Sequence, residues 1–158
     1  MKRVIFMAVA ALCAVCSVST ASAKVFNGEK NTVGIRLTHG VEATYQRYLS
    51  DENRIEATLG LGGYGFDASA TYQRVFDLAD LDKGGFNWYV GGGAVLGAWT
   101  KSGYANGFSL GVAAQAGVEW GFKKVPVVIS LDYRPTLYFI PDFKFHATGF
   151  GLSARYAF

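Results

Sequence analysis

The chain has 158 residues, with 15 basic against 12 acidic side chains and a net charge of +3 at neutral pH. So even a balance gives no argument for a nucleic-acid partner, and 20 glycines, 3 prolines and 15 % aromatics are unlike a disordered chain. Both cysteines, Cys13 and Cys16, lie close to the N-terminus, so disulfides and cysteine-ligated zinc are excluded from everything downstream.

Lys2 and Arg3 precede an apolar stretch, Val4 to Val15, and Ala21-Ser22-Ala23 follows with the small-x-small pattern of a signal-peptidase site. The stretch falls short of the roughly 20 residues that a transmembrane helix requires. It predicts a cleaved export signal over 1–23, leaving one domain over 24–158. Leu12 before Cys13 and Val15 before Cys16 are not the small residue that lipoprotein modification needs. Without Lys2 and Arg3 the net charge falls to about +1.

After Lys24 the hydrophobic pattern has period two, which predicts strands. Eight runs follow in order: 32–38, 40–49, 54–62, 66–76, 86–99, 108–122, 127–139 and 147–158. Turn chemistry separates them at His39-Gly40, Ser50 to Asn53, Gly63-Tyr64-Gly65, Asp80 to Gly85, Ser102 to Gly107, Lys123 to Pro126 and Pro141 to His146. One face of the runs is apolar, as in Val33, Ile35, Leu37, or Phe108, Leu110, Val112, or Leu152, Ala154, Tyr156. The other is polar and small, as in Gly34, Arg36, or Thr58, Gly60, Gly62, or Gly151, Ser153, Arg155.

Alternation alone does not say which face is enclosed, because a soluble antiparallel barrel alternates too. Glycine and lysine decide it. A water-facing surface has no reason to collect Gly, which costs roughly 0.5–1 kcal/mol in an element interior, whereas the lumen of an eight-stranded barrel has room only for small side chains and a few large ones. All seven lysines after the signal (24, 30, 83, 101, 123, 124, 144) fall outside the runs. A lipid face excludes Lys at roughly 2–4 kcal/mol at the midplane. Arg47, Arg54 and Arg74 sit at run ends, where they are expected to snorkel to the interface. Tyr45, Tyr72, Trp88, Trp120, Phe122, Tyr156 and Phe158 gather toward one set of turns, as an interfacial girdle does. The expected fold is all-β: an eight-stranded antiparallel transmembrane β-barrel with a filled polar lumen. An even strand count places both termini on one side, expected to be the periplasm.

The last run ends Leu152-Ser-Ala-Arg-Tyr-Ala-Phe158. These alternating aromatics resemble the C-terminal signal read by the barrel assembly machinery, with Tyr156 and Phe158 in that role. The whole chain after the signal resembles the small outer-membrane barrels of the OmpX/opacity type. Ile129-Ser-Leu-Asp-Tyr-Arg-Pro135 and Gly149-Phe-Gly-Leu-Ser-Ala-Arg-Tyr156 resemble members from Bacteroidota-like bacteria. The resemblance implies a monomer in the bacterial outer membrane, in contact with lipid and lipopolysaccharide. It departs at the outward loops, which are short here. Pro135 inside a run predicts a bulge or the end of regular pairing, because it lacks a donor.

The polar face carries Arg36, Arg134 and Arg155 against Glu42, Glu56, Asp67, Glu119 and Asp132. Buried charges must be paired, so these residues are expected to form a plug, with Arg155 and Arg134 engaging Asp132 and Glu119. A narrow pore is the alternative. A lipid A-modifying enzyme of the deacylase type is less favoured: that type needs His-x-Ser, and His39 and His146 are followed by Gly-Val and Ala-Thr. His39, His146 and Asp142 lie in the first and last hairpins and are candidate metal ligands, but no metal and no cofactor is expected. The loop aromatics Tyr64, Tyr104, Phe143 and Phe145 are expected to anchor at the interface.

Overall fold

The computed structural model describes residues 29–62, 65–78, 85–99, 107–122 and 124–158. The export signal, Lys24, Tyr64, Lys83, Lys101, Tyr104 and Lys123 lie outside them. Ten strands form: β1 Asn31–Leu37, β2 Val41–Tyr48, β3 Asn53–Gly62, β4 Gly65–Asp77, β5 Phe86–Trp99, β6 Gly107–Gly121, β7 Val127–Tyr133, β8 Thr136–Ile140, β9 Lys144–His146 and β10 Phe150–Ala157.

Strands β1 to β6 pair with their sequence neighbours, β6 pairs with β7 and β8, and β10 joins β7 to β1. All pairings are antiparallel, so the sheet closes on itself with eight wall positions. The seam runs from Thr32↔Ala157 to Leu37↔Leu152. Two backbone bonds extend it: Asn31 N donates to Phe158 O at 3.2 Å, and Phe158 N to Asn31 O at 2.9 Å. Closure leaves no unpaired edge between first and last strands, the condition a sheet must meet in lipid.

Seven of the eight predicted runs agree with wall positions to within a residue or two at their starts. The seventh is split into β7 and β8, the eighth starts three residues late at Phe150, and β9 forms where the turn Pro141 to His146 was expected; Pro135 is the reason. The β6 register continues across it, from Ala116↔Tyr133 to Ala113↔Thr136. With no N–H to give, Pro135 contributes only its carbonyl, which accepts from Ala114 N at 3.1 Å. On the opposite side Phe150 pairs with Tyr133 and His146 with Thr136. Residues 147–149 therefore face only 134–135, and the last wall strand bulges there by one residue. Beyond the bulge, β8 and β9 form a hairpin. Lys144 belongs to β9, so one lysine does occupy a strand. It stands at the exposed hairpin, not in the middle of the wall.

The face assignment is inside-out relative to a soluble barrel. Leu59 is 50 % exposed and Leu131 53 %, whereas Gln73 and Glu56 are fully buried. Glycine makes the enclosed side possible. A Cβ on Gly93 would run into the backbone of Ala70 and Thr71, and one on Gly34 into Ala154 and Arg155. Gly40, in the β1–β2 turn, has only Leu61 O nearby, at 3.7 Å. Gly93→Leu is therefore expected to abolish the compact, heat-modifiable band on unboiled gels, while Gly40→Ala keeps it; a compact band for Gly93→Leu would contradict this packing.

Candidate functional site

The polar face fills the barrel in three levels. At the end that carries Asn31 and Phe158, Tyr48, Val75 and Tyr89 pack together, none more than 5 % exposed. Strand parity brings them there: Tyr48 follows Gln46 on β2, and Val75 follows Gln73 on β4.

Above them lies a network of buried charge. Arg54 Nη1 donates to Glu119 Oε2 at 2.7 Å and to Tyr48 Oη at 3.0 Å, and its Nε donates to Gln73 Oε1 at 2.6 Å. Its guanidinium also lies over the Tyr89 ring, 4.5 Å from the centroid. Arg155 donates to Glu56 Oε1 at 2.6 Å and to Ser130 Oγ at 2.6 Å. Glu56 further accepts from Thr44 Oγ1 at 2.7 Å and Gln115 Nε2 at 3.1 Å. Each of these carboxylates is thus met by a guanidinium and by neutral donors, which is how an enclosed charge is tolerated.

The third level uses Arg36 and Arg134. Arg36 donates to both Glu42 and Asp132, and Arg134 Nη2 donates to Glu42 Oε2 at 2.7 Å. Arg134 also reaches Ser69 Oγ at 2.9 Å. Gly151 leaves the space that the Arg36 guanidinium fills.

Two sequence expectations are corrected here. Arg155 and Arg134 do not engage Asp132 and Glu119; they engage Glu56 and Glu42, across the lumen, while Asp132 takes Arg36 and Glu119 takes Arg54. In so narrow a tube the far wall is within reach of a long side chain, so adjacency of strands does not select the partner of Arg54, Arg134 or Arg155. Arg54 does not snorkel outward either. It is 1 % exposed and points inward with the parity of Glu56 and Thr58, the signal that its place near a run end concealed. Arg74 does stay on the outer side, paired with Glu52 at 2.9 Å. Asp67 faces the lumen but, among the described residues, has no ion-pair partner. Tyr156 and Phe158 are half exposed on the outer side of the seam.

Beyond the third level the lumen opens into a vestibule of about 560 Å³ at the end away from Asn31 and Phe158. Arg36, Glu42 and Arg134 form its floor, and Asp67, Ser109 and Tyr138 its wall. His39, Asp142 and His146 all line it. Yet among the described residues no three His, Cys, Asp or Glu side chains come together to hold a metal ion.

No protein-family model matches the sequence, and no curated protein matches it either. A solved structure does: the N-terminal β-barrel domain of Pseudomonas aeruginosa OprF, with a TM-score of 0.62, 13 % identity, and coverage of 82 % of this chain and 96 % of that one. At that identity the likeness concerns the fold. The fold is that of a small outer-membrane β-barrel.

Replacing one member of a buried ion pair strands its partner, at about 3–5 kcal/mol. Arg155→Met is therefore expected to lower the temperature at which the compact gel form is lost, and Arg155→Met with Glu56→Gln to recover part of the loss. An unchanged transition in the single variant would show that the network carries no stability.

Proposed function

We propose that this chain is an integral outer-membrane protein of structural or surface-interaction role, with a barrel closed to ion flow and no catalytic step. The observation that carries the reading is the filled lumen. Arg36, Arg54, Arg134 and Arg155, their carboxylates, and the Tyr48–Val75–Tyr89 plug leave the terminal half of the barrel occupied by buried side chains. A conducting path through it would have to break charge pairs that are cut off from water.

The outer face supports the location. Its exposed positions run Val33, Ile35, Leu37 on β1 and Ile55, Ala57, Leu59, Leu61 on β3 without a charge, and arginine appears on it only near strand ends, as Arg47 and Arg74. Trp120 stacks on Phe122 at 5.4 Å and Phe76 on Trp88 at 4.4 Å near the terminal end, in keeping with an interfacial girdle. In this reading residues 1–23 are a cleaved export signal, and the barrel is a monomer of the OmpX/opacity type with periplasmic termini. Its surroundings are lipid and lipopolysaccharide, and Tyr156 and Phe158 present the signal to the barrel assembly machinery.

In planar bilayers the purified protein is expected to give no current steps above leak; discrete steps would replace this reading with a narrow pore. Leu59→Arg, in the middle of the outer face, is expected to cost roughly 2–4 kcal/mol of folding stability in lipid vesicles. A neutral outcome would place that face outside the hydrocarbon.

A further inference from the structure

The vestibule has a wall whose chemistry is uneven. Register places Glu42 beside Gly60, Gly60 beside Asp67, Asp67 beside Gly97, and Gly97 beside Ser109. Glycines therefore alternate with polar residues across four neighbouring pairs, and the Asp67 carboxylate lies in the room that Gly60 leaves. Charge is balanced almost everywhere around it. On the floor, Arg36 and Arg134 are committed to Glu42 and to Asp132 below. At the rim, Lys144 lies 3.9 Å from Asp142. Among the described residues Asp67 is the carboxylate left over, half-buried against Gly60.

A second group independently lacks a partner. Ser109 is 5 % exposed, lines the same vestibule, and its hydroxyl makes no hydrogen bond among the described residues. A buried hydroxyl without a partner carries a desolvation cost that an incoming polar group removes. Apolar surface inside the vestibule comes from the buried Val95 and from the Tyr138 ring. A volume of about 560 Å³ lies within the range of small-molecule sites, which are mostly apolar with a few convergent polar groups.

We propose that the vestibule is a binding site for a small organic monocation: a primary ammonium group carried on an apolar body. Asp67 takes the charge, the Ser109 hydroxyl accepts an ammonium N–H, and the apolar wall holds the body. One uncompensated carboxylate selects a single positive charge, and the lack of a three-ligand cluster among the described residues selects an organic cation over a metal ion. With the termini in the periplasm, as proposed above, the site faces the cell exterior.

The test titrates the folded full-length barrel, in zwitterionic detergent, with 2-phenylethylammonium, 2-phenylethanol and phenylacetate by calorimetry, subtracting detergent-only titrations. The ammonium is expected to saturate one site and to bind at least about tenfold tighter than the alcohol, as a charge-assisted bond inside a cleft allows, with phenylacetate weakest. Asp67→Asn is expected to erase the preference for the ammonium and keep the alcohol's affinity; Ser109→Ala is expected to weaken the ammonium alone. Heat-modifiable gel mobility reports that each variant is folded, and should Asp67→Asn not fold, the three-ligand comparison and Ser109→Ala decide. Equal affinities, preference for the anion, absence of saturable ammonium binding, or a preference that survives Asp67→Asn would each overturn the proposal. None of these outcomes depends on conductance or membrane placement.

Discussion

Enclosed charge governs this molecule. Four guanidinium groups and four carboxylates stand inside a tube too narrow for bulk water, and each must be neutralised where it sits. Glu42 and Arg36 each serve two partners, which ties β1, β2 and β7 together with Arg134 next to the break; Arg155–Glu56 and Arg54–Glu119 tie opposite walls. The pairs therefore act as cross-braces. A strand that slipped by one residue would turn these charges outward into the apolar belt, so the network also specifies register.

Wall geometry follows from the same crowding. Large groups such as Arg36 and Tyr89 fit only where Gly151 and Gly117 give up their side chains. Pro135 interrupts the wall at a point where Arg134 must reach inward, and Arg134 N still finds Gly149 O at 2.9 Å across the bulge. Above that point the buried charge pairs end, the β8–β9 hairpin continues upward, and the vestibule begins. Its polar floor is thus the top of the brace, and Asp67, the unbraced carboxylate among the described residues lining it, lies where the lumen opens to solvent.

The outer side obeys a simpler rule. Apart from local aromatic stacks, apolar residues there remain half exposed, a state suited to an apolar medium. Shape similarity to the OprF barrel domain at 13 % identity fits such a rule: alternation, closure and small interior residues can be satisfied by many sequences.

Much of the fold was legible because period-two alternation in a chain this rich in Gly and poor in strand Lys has one physical solution. Strand positions 31–37, 86–99 and 107–121 lie within a residue of the runs read from pattern, and Pro135 announced its own break. Arg36, Glu42, Glu56, Glu119, Asp132, Arg134 and Arg155 could be assigned to the lumen by parity alone. Arg36–Glu42 is a direct cross-strand pair, but the other partners could not be read, because pairing across a closed tube depends on distances through the lumen and not on strand order. Arg54 was misread because its place near a run end hid an inward direction written in its parity, and its partner, Glu119, lies 65 positions away in sequence. The amino-acid order by itself determined which side of each strand faces lipid, since polarity and residue size alternate locally. Only the tertiary structure decided which charge meets which, and left Asp67 and Ser109 open to the vestibule, because those contacts exist only once the sheet has closed.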